Sequence, residues 1–138
     1  MESIANPMQE ISILVVEDDA ITLEYLVTTF AKKFPAVKLY QALNGRTGLE
    51  LFKIHLPDIV ITDINMPEVN GVLMADNIRA IKPGTKFIVL TGDTGKLTLE
   101  ASVGNGFEIN HYIAKPVDFQ ELFAAIEQCV GEITHPQS

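Results

Sequence analysis

Residues 11–20, ISILVVEDDA, contain the transition that decides the fold. Five of the first six positions are apolar, as in a buried β-strand, and three carboxylates follow directly, at Glu17, Asp18 and Asp19. Two like charges about 4 Å apart repel each other by roughly 4 kcal/mol at an effective dielectric constant near 20. The rest of the sequence must therefore supply a compensating charge at the point where this strand ends.

Similar apolar runs recur along the chain and alternate with segments of helical periodicity. Strands are predicted at 12–16, 37–42, 58–62, 86–91 and 111–114, and helices at 20–34, 44–55, 72–81, 95–103 and 118–130. Alternating aliphatic strands and helices predict an α/β fold, a doubly wound parallel sheet of five strands with helices on both faces. Right-handed crossovers and the chain length favour the flavodoxin-like strand order 2-1-3-4-5.

Length and charge limit the classes of protein to which the chain can belong. Its 138 residues leave room for one domain, assigned to 11–131, with flexible segments at 1–10 and 132–138. The net charge of −8 disfavours direct binding to nucleic acid or to an anionic membrane surface, and favours a basic partner or a bound cation.

The sequence contains no signal peptide and no apolar run near the roughly 18 residues of a membrane span. Its single cysteine, Cys129, cannot form an intramolecular disulfide and is interpreted as a small, half-buried helical residue. We therefore expect a soluble protein of a reducing compartment, the cytoplasm.

Polar residues stand at the carboxyl ends of four predicted strands. Glu17 and Asp18 follow the first strand, Asp63 the third and Lys115 the fifth, while Thr91 ends the fourth. In the order 2-1-3-4-5 these strands are neighbours, so the side chains should converge on one pocket at the edge where such sheets bind ligands. Crowded carboxylates with open coordination positions are typical of a site for Mg²⁺, which retains waters and shares its sphere with phosphate.

Four motifs, VVEDD, ITDINMP, VLTGD and YIAKP, together resemble the receiver domain of two-component response regulators, in particular the chemotaxis type. The resemblance covers roughly residues 11 to 131, nearly the whole chain. It implies that Asp63 is the phosphoacceptor, a carboxylate nucleophile. It also implies that Mg²⁺, or Mn²⁺ in its place, is bound by Asp18, Asp63 and the backbone carbonyl of Asn65, with Glu17 acting through water.

The same resemblance assigns roles to the residues around the phosphoryl group. Thr91 would donate a hydrogen bond to its oxygens, and Lys115, before a cis proline bond, would pair with them. Tyr112 would change rotamer when Thr91 is drawn toward the phosphate. Asn65 and Asp93 would tune how fast water removes the phosphoryl group, and this polar amide and acid predict a short-lived state.

Each of these residues also has a structural interpretation. Asp18 or Asp19 alone could cap the following helix, and for Asp19 capping is preferred to a ligand role. Thr91 is a common residue type in strands, Lys115 could be an exposed lysine before a turn, and Tyr112 could simply pack. The segment from Thr91 to Lys115 is longer than is usual in the family, and Val117 stands where an aromatic residue is frequent.

The predicted function is a phosphoacceptor switch in a two-component system or phosphorelay. A histidine kinase or phosphotransfer protein would phosphorylate Asp63, and the altered conformation would control a downstream output domain or protein. The chain would catalyse its own phosphorylation and dephosphorylation without turning over small molecules. Two alternatives are a phosphorylation-independent interaction module and a Mg²⁺-dependent phosphatase of the haloacid dehalogenase type. The phosphatase would need a second acid where Asn65 stands, and flavin binding would need a phosphate loop after the first strand.

Overall fold

The computed structural model describes the backbone of residues 10–63, 71–91 and 109–134, and the side chains of the same residues apart from 71–75. The predicted helix at 95–103 lies outside these ranges, as do Asn65 and Asp93. Among the described helices, none is long and apolar enough to cross a membrane.

Five strands and four helices alternate along the described part of the chain. The strands are β1 Ser12–Val16, β2 Lys38–Ala42, β3 Ile59–Asp63, β4 Lys86–Thr91 and β5 His111–Ala114. The helices are α1 Ala20–Lys33, α2 Gly45–His55, α3 Gly71–Ile81 and α4 Phe119–Thr134. Every predicted strand is confirmed to within one residue at each end, and β3 includes Asp63 as its last residue.

The last helix is longer than the sequence pattern predicts. The predicted helix ended at residue 130, but α4 continues through Gly131 to Thr134. Ile133 packs against the core and the Thr134 hydroxyl donates to the backbone oxygen of Val130 at 2.8 Å. Packing of an apolar face therefore outweighs the low helix propensity of one glycine. The division of the chain into a domain at 11–131 and flexible ends stays a prediction.

The sheet has the predicted strand order, β2-β1-β3-β4-β5, and all its strands are parallel. Alternate residues of each strand face opposite sides, as in β1, where Ile13 contributes to one core cluster and Leu14 to the other. Helices α1 and α4 cover the first cluster, while α2 and α3 cover the second. The central strands β1, β3 and β4 are buried on both faces, which explains why they are largely aliphatic, whereas the edge strands β2 and β5 are partly exposed.

At the amino edge of the sheet, the charged residue directly before β3 links neighbouring segments of the chain. The Asp58 carboxylate accepts a hydrogen bond from the backbone N–H of Ser12 at 3.0 Å and pairs with Lys82 Nζ at 3.2 Å. The Lys82 ammonium also donates to the backbone oxygen of Leu56 at 2.8 Å, beyond the end of α2. This edge lies at the other end of the strands from the acidic residues.

Cys129 is fully buried in α4, not half-buried as the sequence interpretation had it, because it lies on the helix face that packs against the sheet. Burial raises the pKa of its thiol to about 12, and the nearby charge of Glu132 acts in the same direction. The thiol is therefore neutral at physiological pH and packs as a small apolar group.

Replacing a buried isoleucine of α3 should test the packing described above. We expect Ile78→Ala, at a fully buried position, to lower the free energy of unfolding by about 2–5 kcal/mol, because it leaves a cavity under the helix. Ile54→Ala removes the same atoms from a side chain that is 70% exposed on α2, and should change stability by about 0.5 kcal/mol or less. Urea unfolding followed by circular dichroism measures both, and equal losses would contradict the assignment of the core.

Candidate acidic site at the carboxyl edge of the sheet

Three carboxylates meet where β1 and β3 end. Glu17 directly follows β1 and is only 1% exposed, Asp63 is the last residue of β3, and Asp18 is exposed at the rim. One carboxylate oxygen from each lies within 4.8 Å of the others. The structure therefore brings together the three acids that the sequence predicts as the metal site.

The register of the sheet accounts for this meeting. Val16 pairs with Thr62, so the residues that follow them, Glu17 and Asp63, leave their strands side by side. The backbone N–H of Glu17 also donates to the oxygen of Ala42 at 3.1 Å, which prolongs the contact between β1 and β2. Side chains at the ends of neighbouring parallel strands lie close together here because the two strands end at paired positions.

The ammonium of Lys115 lies against two of these acids. Its Nζ is 2.5 Å from Asp63 Oδ2 and 3.3 Å from Glu17 Oε1. The backbone N–H of Lys115 donates to the oxygen of Thr91 at 2.8 Å, so the parallel pairing continues past β5, and the peptide bond to Pro116 is cis, as the resemblance predicted. The compensating charge that the sequence required is therefore present within the chain itself.

Burial and charge act against each other in this cluster. Burial raises the pKa of Glu17, and the N–H of Asp19 and the charge of Lys115 offset part of that effect. Partial burial by itself would lower the pKa of Lys115. The hydrogen bond to Asp63 and the charges of Asp63 and Glu17 outweigh it, so the net pKa lies above the usual value. Lys115 is therefore a cation at any physiological pH.

Asp19, the third consecutive acid, is held apart from the cluster. It occupies the N-cap position of α1, as predicted, but its side chain makes no cap hydrogen bond there, and the backbone N–H groups of Thr22 and Ile21 only help to lower its pKa. Instead Asp19 Oδ2 accepts a hydrogen bond from the Thr22 hydroxyl at 2.5 Å, and this bond is the main reason that the pKa of Asp19 is lowered. Thr22 was not among the residues predicted to matter at the site, although a threonine three residues after an acid at a helix start is a recognisable signal.

Thr91 lies on β4, the strand next to β3, and Tyr112 lies on β5, the next strand outward in the sheet. Thr91 is the last residue of β4, is buried, and pairs with Ala114 of β5. Tyr112 pairs with Val89 and is half-buried, beside α4. The structure places both where the sequence predicts them, and their roles toward a phosphoryl group stay predictions.

The donor chemistry of the cluster fits a small divalent cation. Hard carboxylate oxygens, one of them from an exposed side chain, are the ligands that Mg²⁺ prefers, and the exposed rim leaves room for its waters. Asp18, Asp63 and Glu17 are therefore the described residues that can hold such an ion. Lys115 supplies a point charge that can contact an anion bound next to it.

A scan against family models matches residues 13–127 to the response regulator receiver domain. Among solved structures, the signal receiver domain of an HD domain-containing protein from Pseudomonas fluorescens Pf-5 is 31% identical, with a TM-score of 0.81 over 92% of this chain and 98% of that one. A two-component transcriptional regulator AraC from Clostridium phytofermentans is 27% identical, with a TM-score of 0.82 over 91% and 96% of the two chains.

Curated proteins with similar sequences include bacterial regulatory proteins. The regulatory protein AtoC of Escherichia coli is 33% identical over 86% of this chain, and the uncharacterized transcriptional regulatory protein YesN of Bacillus subtilis is 29% identical over 88%. The match covers 25% of AtoC and 33% of YesN, so this chain spans a quarter to a third of their length. An uncharacterized 14.6 kDa protein of Leptolyngbya boryana is 30% identical, and 91% of it is covered.

Proposed function

Because the chain belongs to the response regulator receiver domain family, we propose that it is a phosphoacceptor switch whose Asp63 accepts a phosphoryl group in a Mg²⁺-dependent reaction. The observation that carries this proposal is the environment of Asp63. Asp63 is 8% exposed at the end of β3, and its carboxylate contacts the ammonium of Lys115 and lies within 4.8 Å of the carboxylates of Glu17 and Asp18.

The proposed reaction transfers a phosphoryl group to a carboxylate. One oxygen of Asp63 attacks the phosphorus atom while the bond to the donor's leaving group breaks, and the leaving group departs with the bonding electrons. A carboxylate is already deprotonated near pH 7, so no general base is required. Mg²⁺, held by Asp18, Asp63 and the Asn65 carbonyl, with Glu17 acting through water, would neutralise and orient the phosphoryl oxygens.

The remaining residues of the site would stabilise and report the phosphoryl group. Lys115 already contacts Asp63 and can pair with an oxygen of the group attached there, while the Thr91 hydroxyl can donate to another. Movement of Thr91 would be followed by Tyr112 on the adjacent strand, which would carry the change to the outer surface. Asn65 and Asp93 would set the lifetime of this state, which we expect to be short.

The proposed partners follow from this chemistry. A histidine kinase or phosphotransfer protein would supply the phosphoryl group in the cytoplasm, and an output domain or protein would respond to it. The match covers 25% of AtoC and 33% of YesN, so both proteins are roughly three times as long as this chain. We therefore propose that this receiver, too, controls an output domain or a separate output protein.

Mg²⁺-dependent self-phosphorylation tests the proposal directly. Incubation with acetyl phosphate should add one phosphoryl group to the chain by intact-mass spectrometry, and EDTA should abolish the addition because the charge on the phosphoryl oxygens is no longer neutralised. Beryllofluoride, a phosphoryl mimic, should bind only when Mg²⁺ is present. A chain that takes up neither would be a phosphorylation-independent interaction module, and steady turnover of phosphomonoesters would favour the phosphatase.

A further inference from the structure

Three consecutive acids follow β1, but only two of them contribute to the acidic cluster. Glu17 and Asp18 lie with Asp63, whereas Asp19 does not belong to the group of oxygens within 4.8 Å. Its backbone nevertheless contacts the cluster, because the N–H of Asp19 donates to Glu17 Oε2 at 3.1 Å. The direction of the Asp19 side chain therefore decides whether a fourth negative charge faces the site.

The strongest interaction that sets this direction comes from one hydroxyl group. Thr22, in the first turn of α1, donates from Oγ1 to Asp19 Oδ2 at 2.5 Å. Asp19 stands at the N-cap but makes no cap hydrogen bond, and the backbone N–H groups of Thr22 and Ile21 act on its carboxylate more weakly than the hydroxyl does. The side chain of Asp19 is exposed, so little packing restrains it if the hydroxyl is removed.

We propose that Thr22 is a positioning residue for the metal site, which holds the Asp19 carboxylate against α1 and keeps it away from the cation and the phosphoryl group. A fourth carboxylate would strengthen binding of a divalent cation, because affinity increases with the number of charged ligands. It would also repel the incoming phosphoryl group, which is an anion. This inference rests on the proposed function. In it, the Thr22 hydroxyl lowers the affinity for the cation and in return reduces the repulsion of the phosphoryl group.

Removing the hydroxyl should change the two affinities in opposite directions. Thr22→Val keeps the branched shape and has a similar helix propensity, so the fold should persist. We expect Mg²⁺ to bind the variant about three- to tenfold more tightly, and the KM for acetyl phosphate at saturating Mg²⁺ to rise by a similar factor. Thr22→Ser retains the hydroxyl and should match the wild type in both measurements.

An Asp19→Asn background separates positioning from a general structural effect. There the side chain carries no charge to release, so Thr22→Val should change neither the Mg²⁺ affinity nor the KM. Persistence of the effect in that background, or Thr22→Val indistinguishable from wild type, would overturn the proposal. If Thr22→Val fails to fold, Thr22→Ala takes its place in the same four-variant comparison.

The wild type provides the test of the function on which the inference rests. Mg²⁺ binding is measured by calorimetry, and phosphorylation by the mass shift with acetyl phosphate, in parallel for all variants. A wild type that binds no Mg²⁺ and takes up no phosphoryl group refutes the proposed function. A wild type that does both, with Thr22→Val unchanged, refutes only the role of Thr22.

Discussion

Asp63→Asn should abolish phosphorylation by acetyl phosphate, with a loss of rate of at least about 1,000-fold. The amide has nearly the same shape as the carboxylate, so the strand end should remain in place. Its oxygen is neutral, however, and cannot form the acyl phosphate at a useful rate. The substitution also removes one charged oxygen from the acidic cluster and the carboxylate that contacts Lys115. Intact-mass spectrometry of the Mg²⁺-loaded protein measures the remaining phosphorylation.

The matched control is the aspartate at the other end of the same strand. Asp58 lies at the amino edge of the sheet, where it binds Ser12 and Lys82. Asp58→Asn should therefore lower stability modestly and leave the rate of phosphorylation unchanged. Phosphorylation that survives Asp63→Asn, or is lost equally in both variants, would show that Asp63 is not the phosphoacceptor.

Lys115→Met should slow phosphorylation while strengthening metal binding. In the structure the ammonium of Lys115 occupies the position of a cation between Asp63 and Glu17, at 2.5 and 3.3 Å from their oxygens. Removing it leaves these acids without a neutralising charge, so Mg²⁺ should bind more tightly. The charge on the phosphoryl oxygens loses one partner, and phosphorylation at saturating Mg²⁺ should become about 100-fold slower. Calorimetry and the phosphorylation rate measure the two effects separately.

The same substitution at Lys86 serves as a control. Lys86 begins β4 at the amino edge of the sheet, where it pairs with Glu132 of α4 at 3.3 Å. Lys86→Met should leave both the Mg²⁺ affinity and the phosphorylation rate near those of the wild type. If Lys115→Met weakens Mg²⁺ binding, the ammonium does not compete with the metal, and the charge balance described for the site is wrong.

The three central strands were predictable because their residues are buried on both faces of the sheet. Runs such as ILVV at 13–16 leave few alternatives, and the resulting order of parallel strands then determines which strand ends meet. Glu17, Asp63 and Lys115 were therefore predicted to lie together without any knowledge of their side-chain conformations. Where this reasoning depends on the backbone alone, the structure confirms it.

Features that depend on side-chain direction were not predictable in the same way. The crowding of acids was visible in the sequence, but not that Glu17 would be the most buried of the three. The hydrogen bond between Thr22 and Asp19 needs a particular pair of rotamers, and the end of α4 depends on how Ile133 packs. Such outcomes are decided by local free-energy differences of about 1 kcal/mol, which the residue pattern does not resolve.

The buried thiol of α4 can report how often this helix separates from the sheet. Cys129 is the only cysteine among the 138 residues, and its thiolate is suppressed by a pKa of about 12. A thiol reagent needs both access and a thiolate, so it can react at an appreciable rate only during the moments when α4 separates from the sheet. The rate of thiol modification in native buffer then measures how often the helix opens. Any ligand that stabilises the closed form should lower this rate.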